Sequence, residues 1–283
     1  MQQQGEWITG NIVLNIQGKP LEMEMTVPAT PVKPQRMLPV FQKMANSFVK
    51  LSVDAVEAAG KEISCKAGCG ACCRQPVPLA EVEAYQLAEL VESMPEPRRT
   101  EIKNRFRDGN EHFSNIGWFE RLRLGSIEYQ KDPNPSDKVV HEFVSIAVEY
   151  FNQGIPCPFL ENESCSIHEN RPLACREYLV TSPAENCSKI VPGSIDRVEL
   201  LIKPSRPLRR ITRTENSDDL GAITMIGALD FAEKHPEEFP EKVGQQWAGD
   251  FFGLLAKTDI PDDGIKKKHP DKMRRRKKRA GVN

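Results

Sequence analysis

Hydrophobic and polar positions alternate with period two over Trp7–Ile16 and again over Leu21–Val27, on either side of the glycine-containing stretch Gln17-Gly18-Lys19-Pro20, a pattern that predicts a β-hairpin. Pro28, Pro31, Pro34 and Pro39 follow. Each proline fixes φ and discourages helix before it, so residues 28–39 read as a stiff connector. From Phe41 to Ala59 the period changes. Phe41, Met44, Ala45, Phe48, Leu51, Val56 and Ala59 stand mostly three or four apart, one helical stripe that Gly60 ends.

The same spacing predicts helices over Leu79–Met94, Arg98–Arg107 and His141–Asn152, with a short one at Ser114–Leu124 and a loop at Asp132-Pro133-Asn134-Pro135-Ser136. A short helix is expected after Arg171-Pro172, since proline suits a first helical turn. Arg197–Lys203 alternates like a strand, and Arg209–Arg213 reads as its neighbour across Pro204-Ser205-Arg206-Pro207. Helices over Gly221–Lys234 and Pro240–Lys257 complete the pattern, with Phe239, Val243, Trp247, Phe251 and Leu254 at helical spacing as a core stripe. The fold class expected is α+β, mainly helical, with a small antiparallel sheet built from the N-terminal hairpin and residues near 197–213.

Composition narrows the setting. The chain has 283 residues, 39% hydrophobic and 28% charged, which suits a polar globular protein rather than a fibrous or membrane-embedded one. No uncharged apolar run approaches the roughly 18 residues of a spanning helix. The start, Met1-Gln2-Gln3-Gln4-Gly5-Glu6, has neither a basic beginning nor an apolar stretch, and a cytoplasmic location is expected. The net charge of −1 hides a segregation: residues 266–279 carry ten Lys/Arg against one Asp, +9, leaving −10 for the rest. Such a tail is expected to give weak, salt-dependent contact with a polyanion, RNA or an anionic surface; no stacking aromatics are interleaved with it.

The eight cysteines set the main chemical question. Four lie within nine residues, Cys65-Lys66-Ala67-Gly68-Cys69-Gly70-Ala71-Cys72-Cys73, with two glycines where a compact loop must bend. The others are Cys157, Cys165, Cys175 and Cys187, spaced too widely for a simple finger. In a reducing compartment such groups read as metal or cluster ligands rather than disulfides. Neither group is complete alone, so the fold is expected to bring them together around one or two metal centres. Vicinal Cys72 and Cys73 both bind only if the backbone twists, or if they serve two centres or bridge two metals. Arg171, Arg176 and Glu177 flank Cys175, and the simpler expectation for Arg171 and Glu177 is a structural ion pair or cap. His112, His141, His235 and His269 are scattered and read as ordinary packing or surface residues.

Cys-x3-Cys-Gly-x-Cys-Cys at 65–73, Cys-Pro-Phe-Leu at 157–160 and Cys-Ser-Ile-His-x2-Arg-Pro-x2-Cys-Arg-x-Tyr at 165–178 together resemble the YkgJ-like cysteine-cluster family of zinc- or iron-chelating proteins, which includes bacterial flagellin lysine N-methylases. The resemblance covers residues 65–187. It implies a metal-binding domain whose ligands are Cys65, Cys69, Cys72, Cys73, Cys157, Cys165, Cys175 and Cys187, holding zinc or iron, an iron-sulfur cluster included. His168, where the family pattern commonly has Tyr, is expected behind the ligands. The metal is expected to be structural or redox-sensing. An iron-sulfur-dependent protein lysine N-methyltransferase using S-adenosylmethionine is the alternative, although the glycine-rich turn that usually cradles that cofactor is absent. Cys65, Cys69 and Cys72 also have the spacing found in radical S-adenosylmethionine enzymes. Ala71 replaces the usual aromatic, Cys73 is extra and no run of βα units follows, which excludes that barrel. The expected organisation is a β-hairpin (1–27), a Pro-rich connector (28–39), a cysteine-cluster domain (40–190), a strand pair with C-terminal helices (191–260) and a disordered basic tail (261–283).

Overall fold

The computed structural model describes residues 6–16, 19–132, 134–189, 191, 193–217 and 223–255. The turn at 17–18, the expected helix start at Gly221 and the basic stretch 266–279 lie outside the described residues.

The N-terminal hairpin is present. β1 (Trp7–Ile16) pairs antiparallel with β2 (Lys19–Pro28) in a register that sets Ile8 opposite Val27, Ile12 opposite Met23 and Leu14 opposite Leu21. These apolar side chains share one face, as period-two alternation requires. The base of the hairpin rests on the first and last helices. α1 (Leu38–Ala58) buries Phe41, Met44, Ala45 and Phe48, and Phe41 stacks on Phe251 of α9 (Gly244–Leu255) with centroids 4.8 Å apart. α9 starts on a glycine for a steric reason: a Cβ on Gly244 would stand 2.6 Å from Val27 Cβ and 2.7 Å from the Pro28 carbonyl oxygen.

Between these ends run α2 (Glu81–Glu92), α3 (Arg98–Asn115), α4 (Trp118–Gln130) and α5 (Asp137–Asn152). The expected short helix at Ser114–Leu124 starts later and runs longer because Gly117, at φ 69°, breaks it from α3. Two cores result. The larger joins α1, α2 and α9 with the helices α7 (Ser205–Ile211) and α8 (Ala228–Lys234). The smaller gathers Phe113, Trp118, Leu122, Tyr150 and Ile226, with the Phe113 and Tyr150 rings stacked at 4.1 Å. Among the described residues no helix is long and apolar enough to cross a membrane.

The mainly helical α+β class holds, but the expected sheet does not form as drawn. The hairpin is a two-stranded sheet by itself, and residues near 197–213 do not join it. The alternation there is real: Val198, Leu200 and Ile202 are buried. Their backbone is satisfied elsewhere, by one bridge from Arg197 to Val180 and by the Ser52 hydroxyl, which accepts the Leu201 N–H at 3.2 Å. Residues 209–211 are helical, not extended, because Glu177 from a distant segment accepts the Ser205 N–H at 2.5 Å and starts α7. The remaining strands are short: β3 (Pro78–Leu79) pairs with β6 (Ile223–Thr224), and β4 (Leu160–Glu161) with β5 (Ser164–Cys165).

Candidate metal centre

The first cysteine group occupies the irregular segment between α1 and β3. Gly68, at φ 81°, supplies the left-handed turn, and backbone bonds from Cys69 N to Lys66 O (3.1 Å) and Cys73 N to Gly70 O (2.9 Å) coil it tightly. Two links tie this loop to the later segments: Ser64 N donates to Val180 O at 3.0 Å, and Cys157 N to Cys73 O at 2.7 Å. The second group begins on the β4–β5 hairpin, whose turn residues Asn162 and Glu163 both have positive φ, 49° and 59°. A glutamate rarely adopts that conformation. Here Arg74 of the first loop holds it, with Nη2 to Glu163 Oε1 at 2.6 Å and Nη1 to Oε2 at 3.1 Å. Cys175 sits on α6 (Leu173–Arg176), started by Pro172 as the sequence predicts. Cys187 lies in a short 3-10 turn and is buried; the other seven thiols are half-buried.

All eight cysteines carry free thiols. Seven of them, Cys65, Cys69, Cys72, Cys73, Cys157, Cys165 and Cys175, line one cavity of about 160 Å³. Cys187 stands behind it, its sulfur receiving the hydroxyl of Tyr178, which itself lines the cavity and accepts the Gln75 amide at 3.2 Å. A wider groove of about 670 Å³ runs between α2, α3 and α8, but it holds no thiol.

Burial and mutual proximity push the Cys65, Cys72, Cys157, Cys165, Cys175 and Cys187 thiols up from their ordinary value. Cys72 is raised by its hydrogen bond with Cys73 and by burial, Cys157 to about 12 by burial, and Cys175 well above the usual range by burial with Cys157, Cys72 and Cys165 nearby. Against this, backbone N–H groups favour the thiolate: Val180 at Cys65, Phe159 at Cys157 and Ile167 at Cys165. Packed thiols with donors aimed at their sulfurs describe a site that a cation would complete, because a bound divalent ion reverses the cost of deprotonating its ligands.

Arg171 supports the same reading. It lines the cavity, favours the thiolate at Cys65, Cys72 and Cys165, and its Nε is buried without a hydrogen-bond partner. The structural ion pair expected for it is not among the described interactions. Glu177 does take the structural role, accepting Ser205 N and Oγ at 2.5 and 2.7 Å. Arg176 is buried and braces the turn, donating to Arg171 O and Asn46 Oδ1, each at 3.0 Å, and to Glu169 O. His168 lines the cavity, whereas His112 and His235 bond to Gln153 and to the Phe231 carbonyl away from it.

Among the described residues, no three His, Cys, Asp or Glu side chains already surround a common point as a metal ligand set. The donor chemistry, seven cysteine sulfurs around one cavity with the cationic Arg171 beside them, fits a thiolate-bound metal.

Sequence reasoning missed Glu83. It is fully buried on α2, where Oε2 accepts the Ala80 N–H at 2.8 Å and Oε1 the Leu173 N–H at 2.7 Å, joining α2 to the helix that carries Cys175. Ala80 has no side-chain acceptor, so only the glutamate half of a capping box forms. Burial raises Glu83 to about 7 against the pull of those two donors. A carboxylate on the apolar stripe beside Val82 and Tyr85 was the available signal.

No curated protein and no solved structure matches the chain. Residues 64–191, the span that holds all eight cysteines, match the model of the CxxCxxCC family, described as "Putative zinc- or iron-chelating domain".

Proposed function

We propose that residues 64–191 bind zinc or iron through Cys65, Cys69, Cys72, Cys73, Cys157, Cys165, Cys175 and Cys187, and that the metal is a structural centre that also senses oxidants. The observation that carries this reading is the convergence of seven thiols from separate chain segments on one cavity. The metal would supply the cross-link; the chain supplies the rest. Backbone N–H groups of Val180, Phe159 and Ile167 hold charge on three sulfurs, the Tyr178 hydroxyl does so on Cys187, and Arg171 offsets the excess negative charge of the thiolates. Binding energy at such a site is largely folding energy. Oxidation of one thiolate removes a ligand, which couples redox state to local order. A cytoplasmic setting, where thiols stay reduced, goes with this reading. The cavity is smaller than the roughly 300–1,000 Å³ of clefts that enclose organic ligands, which favours a metal module over the methyl-transfer alternative.

Purification without oxygen, followed by metal analysis and then chelation, tests the proposal. The expected result is stoichiometric zinc or iron and, once it is removed, rapid proteolysis within residues 64–191 with loss of helical circular dichroism. A chain that contains no metal, or that is unchanged after verified demetallation, refutes it.

A further inference from the structure

The groove between α2, α3 and α8 has no part in the metal reading. At about 670 Å³ it falls within the size of clefts that enclose ligands. Phe106, Ile226 and Leu229 give it an apolar floor, and its lips are charged. The cations on those lips are already engaged: Lys103 holds Glu92, and Arg107 holds Asp108 at 3.0 Å. Glu111 of α3 and Glu233 of α8 also line it, both exposed, and hold no ion pair or hydrogen bond among the described residues. Through Asn110 and Asp230 the groove continues into a second one of about 270 Å³, so that its α3 wall runs from Lys103 to Ser114. That is roughly 16 Å of helix, the span of about five extended residues. The lining thus carries spare negative charge above an apolar floor.

The chain itself carries a complementary segment. Residues 266–279 hold ten Lys/Arg against one Asp, whereas the rest of the chain stands at −10. Within them Met273 lies between Lys272 and Arg274, one apolar side chain flanked by two cations. Residues 256–283 lie outside the described residues. α9 ends at Leu255, and Lys272 comes 17 residues later, a tether that spans at most about 60 Å. A folded body of about 250 residues has a radius of gyration of roughly 18 Å, so each of its faces is within that reach.

We infer that the tail docks on its own body: Met273 enters the groove over Phe106, Ile226 and Leu229, while Lys272 and Arg274 pair with Glu111 and Glu233. Neighbouring side chains of an extended segment point opposite ways, which lets one residue meet the floor and the two beside it meet the lips. The contact goes beyond the metal-thiolate reading and does not depend on it. Exposed ion pairs are weak and screened by salt, so docking is reversible. Its consequence is a competition. A docked tail is withheld from polyanions, and a polyanion that engages the tail empties the groove.

Two measurements on the full-length chain as purified test this. The first is zero-length carbodiimide cross-linking read by mass spectrometry, which condenses a carboxylate with a lysine amine into an amide. Links from Glu111 or Glu233 to Lys272 are expected, with a yield per chain that does not change on dilution and falls at high salt. The second is fluorescence anisotropy with a labelled twelve-nucleotide oligo(U) as the probe of free tail. Since apparent affinity scales with the fraction of tail that is free, E111Q/E233Q should bind the probe roughly three- to tenfold more tightly than E57Q/E199Q, which removes the same charge elsewhere. M273S, which changes no charge, should likewise bind it more tightly than wild type. Absence of links between the groove carboxylates and the tail overturns the inference, and so does an equal gain in the groove and control variants. Links whose yield falls on dilution overturn it in favour of the tail of a second copy. If no variant binds the probe, the cross-links alone decide.

Discussion

Gly70 is where the first cysteine loop lies directly against the β4–β5 hairpin, and replacing it with alanine should weaken metal binding without touching a ligand. An added Cβ would stand 2.4 Å from Leu160 Cδ1, 2.5 Å from the Glu163 carbonyl oxygen and 2.8 Å from its carbon. Leucine can rotate away; a backbone carbonyl in a tight turn cannot. Loop and hairpin must part by roughly 1 Å to restore ordinary contact. That movement strains the 2.7 Å bond from Cys157 N to Cys73 O and the Arg74–Glu163 pair, the ties of this loop to the β4–β5 side. Overpacking of this kind costs about 1–3 kcal/mol. If the cost falls on the closed, metal-bound arrangement, zinc affinity drops roughly 5- to 150-fold, at about 1.4 kcal/mol per factor of ten. Competitive zinc titration of wild type and G70A reads this directly. L160A in the G70A background should recover little, because two of the three close contacts are to Glu163 backbone. Affinity within about twofold of wild type, or full rescue by L160A, would refute the argument.

Two further outcomes follow from buried charge. Glu83 is held at about 7, above the usual 4.5, so its contribution to stability is fully present below about pH 4.5 and is lost as pH rises through 7. The stability of wild type relative to E83Q, from urea melts at matched metal content, should therefore fall across that window by on the order of 3 kcal/mol; a flat or rising difference contradicts it. Arg171 is the cation beside Cys65, Cys72 and Cys165, and R171Q should weaken zinc binding by roughly tenfold or more while the melting behaviour of the demetallated chain stays put. Equal loss of stability in the metal-free state would mean that Arg171 only packs.

The sequence was most legible where one local pattern decides the outcome. The hairpin and α1 are cases: alternation and the 3.6-residue stripe each match the face that is buried, to within a few residues at the ends. Residues 197–213 show the opposite. Their alternation correctly marks Val198, Leu200 and Ile202 as buried, yet a strand needs a partner edge, and whether Val180, Ser52 and Glu177 take that role is a tertiary fact. The site divides in the same way. Clustering and spacing single out the eight cysteines and the close turn around Gly68. The division of labour between Arg171 and Glu177 is absent from the local sequence, because it depends on α7 arriving beside Glu177 and on no carboxylate being described beside Arg171. Glu83 escaped for a related reason, since its second partner, the Leu173 N–H, is ninety residues away.

The site's discontinuity also sets the order in which the chain can use it. Helices α2 to α5 are inserted between the loop that ends at Cys73 and the segment that begins at Cys157, and Cys187 comes later still. During synthesis at about 5–20 residues per second, the roughly hundred residues that separate Cys73 from Cys187 take on the order of ten seconds to appear. For that interval four closely spaced thiols wait without the Val180 N–H that later favours the thiolate of Cys65. They are then most open to oxidation and to whichever thiophilic ion meets them first. On the proposed metal reading, which ion enters the site would then depend partly on timing at the ribosome, with the Cys187 segment the last of the eight-cysteine span to arrive.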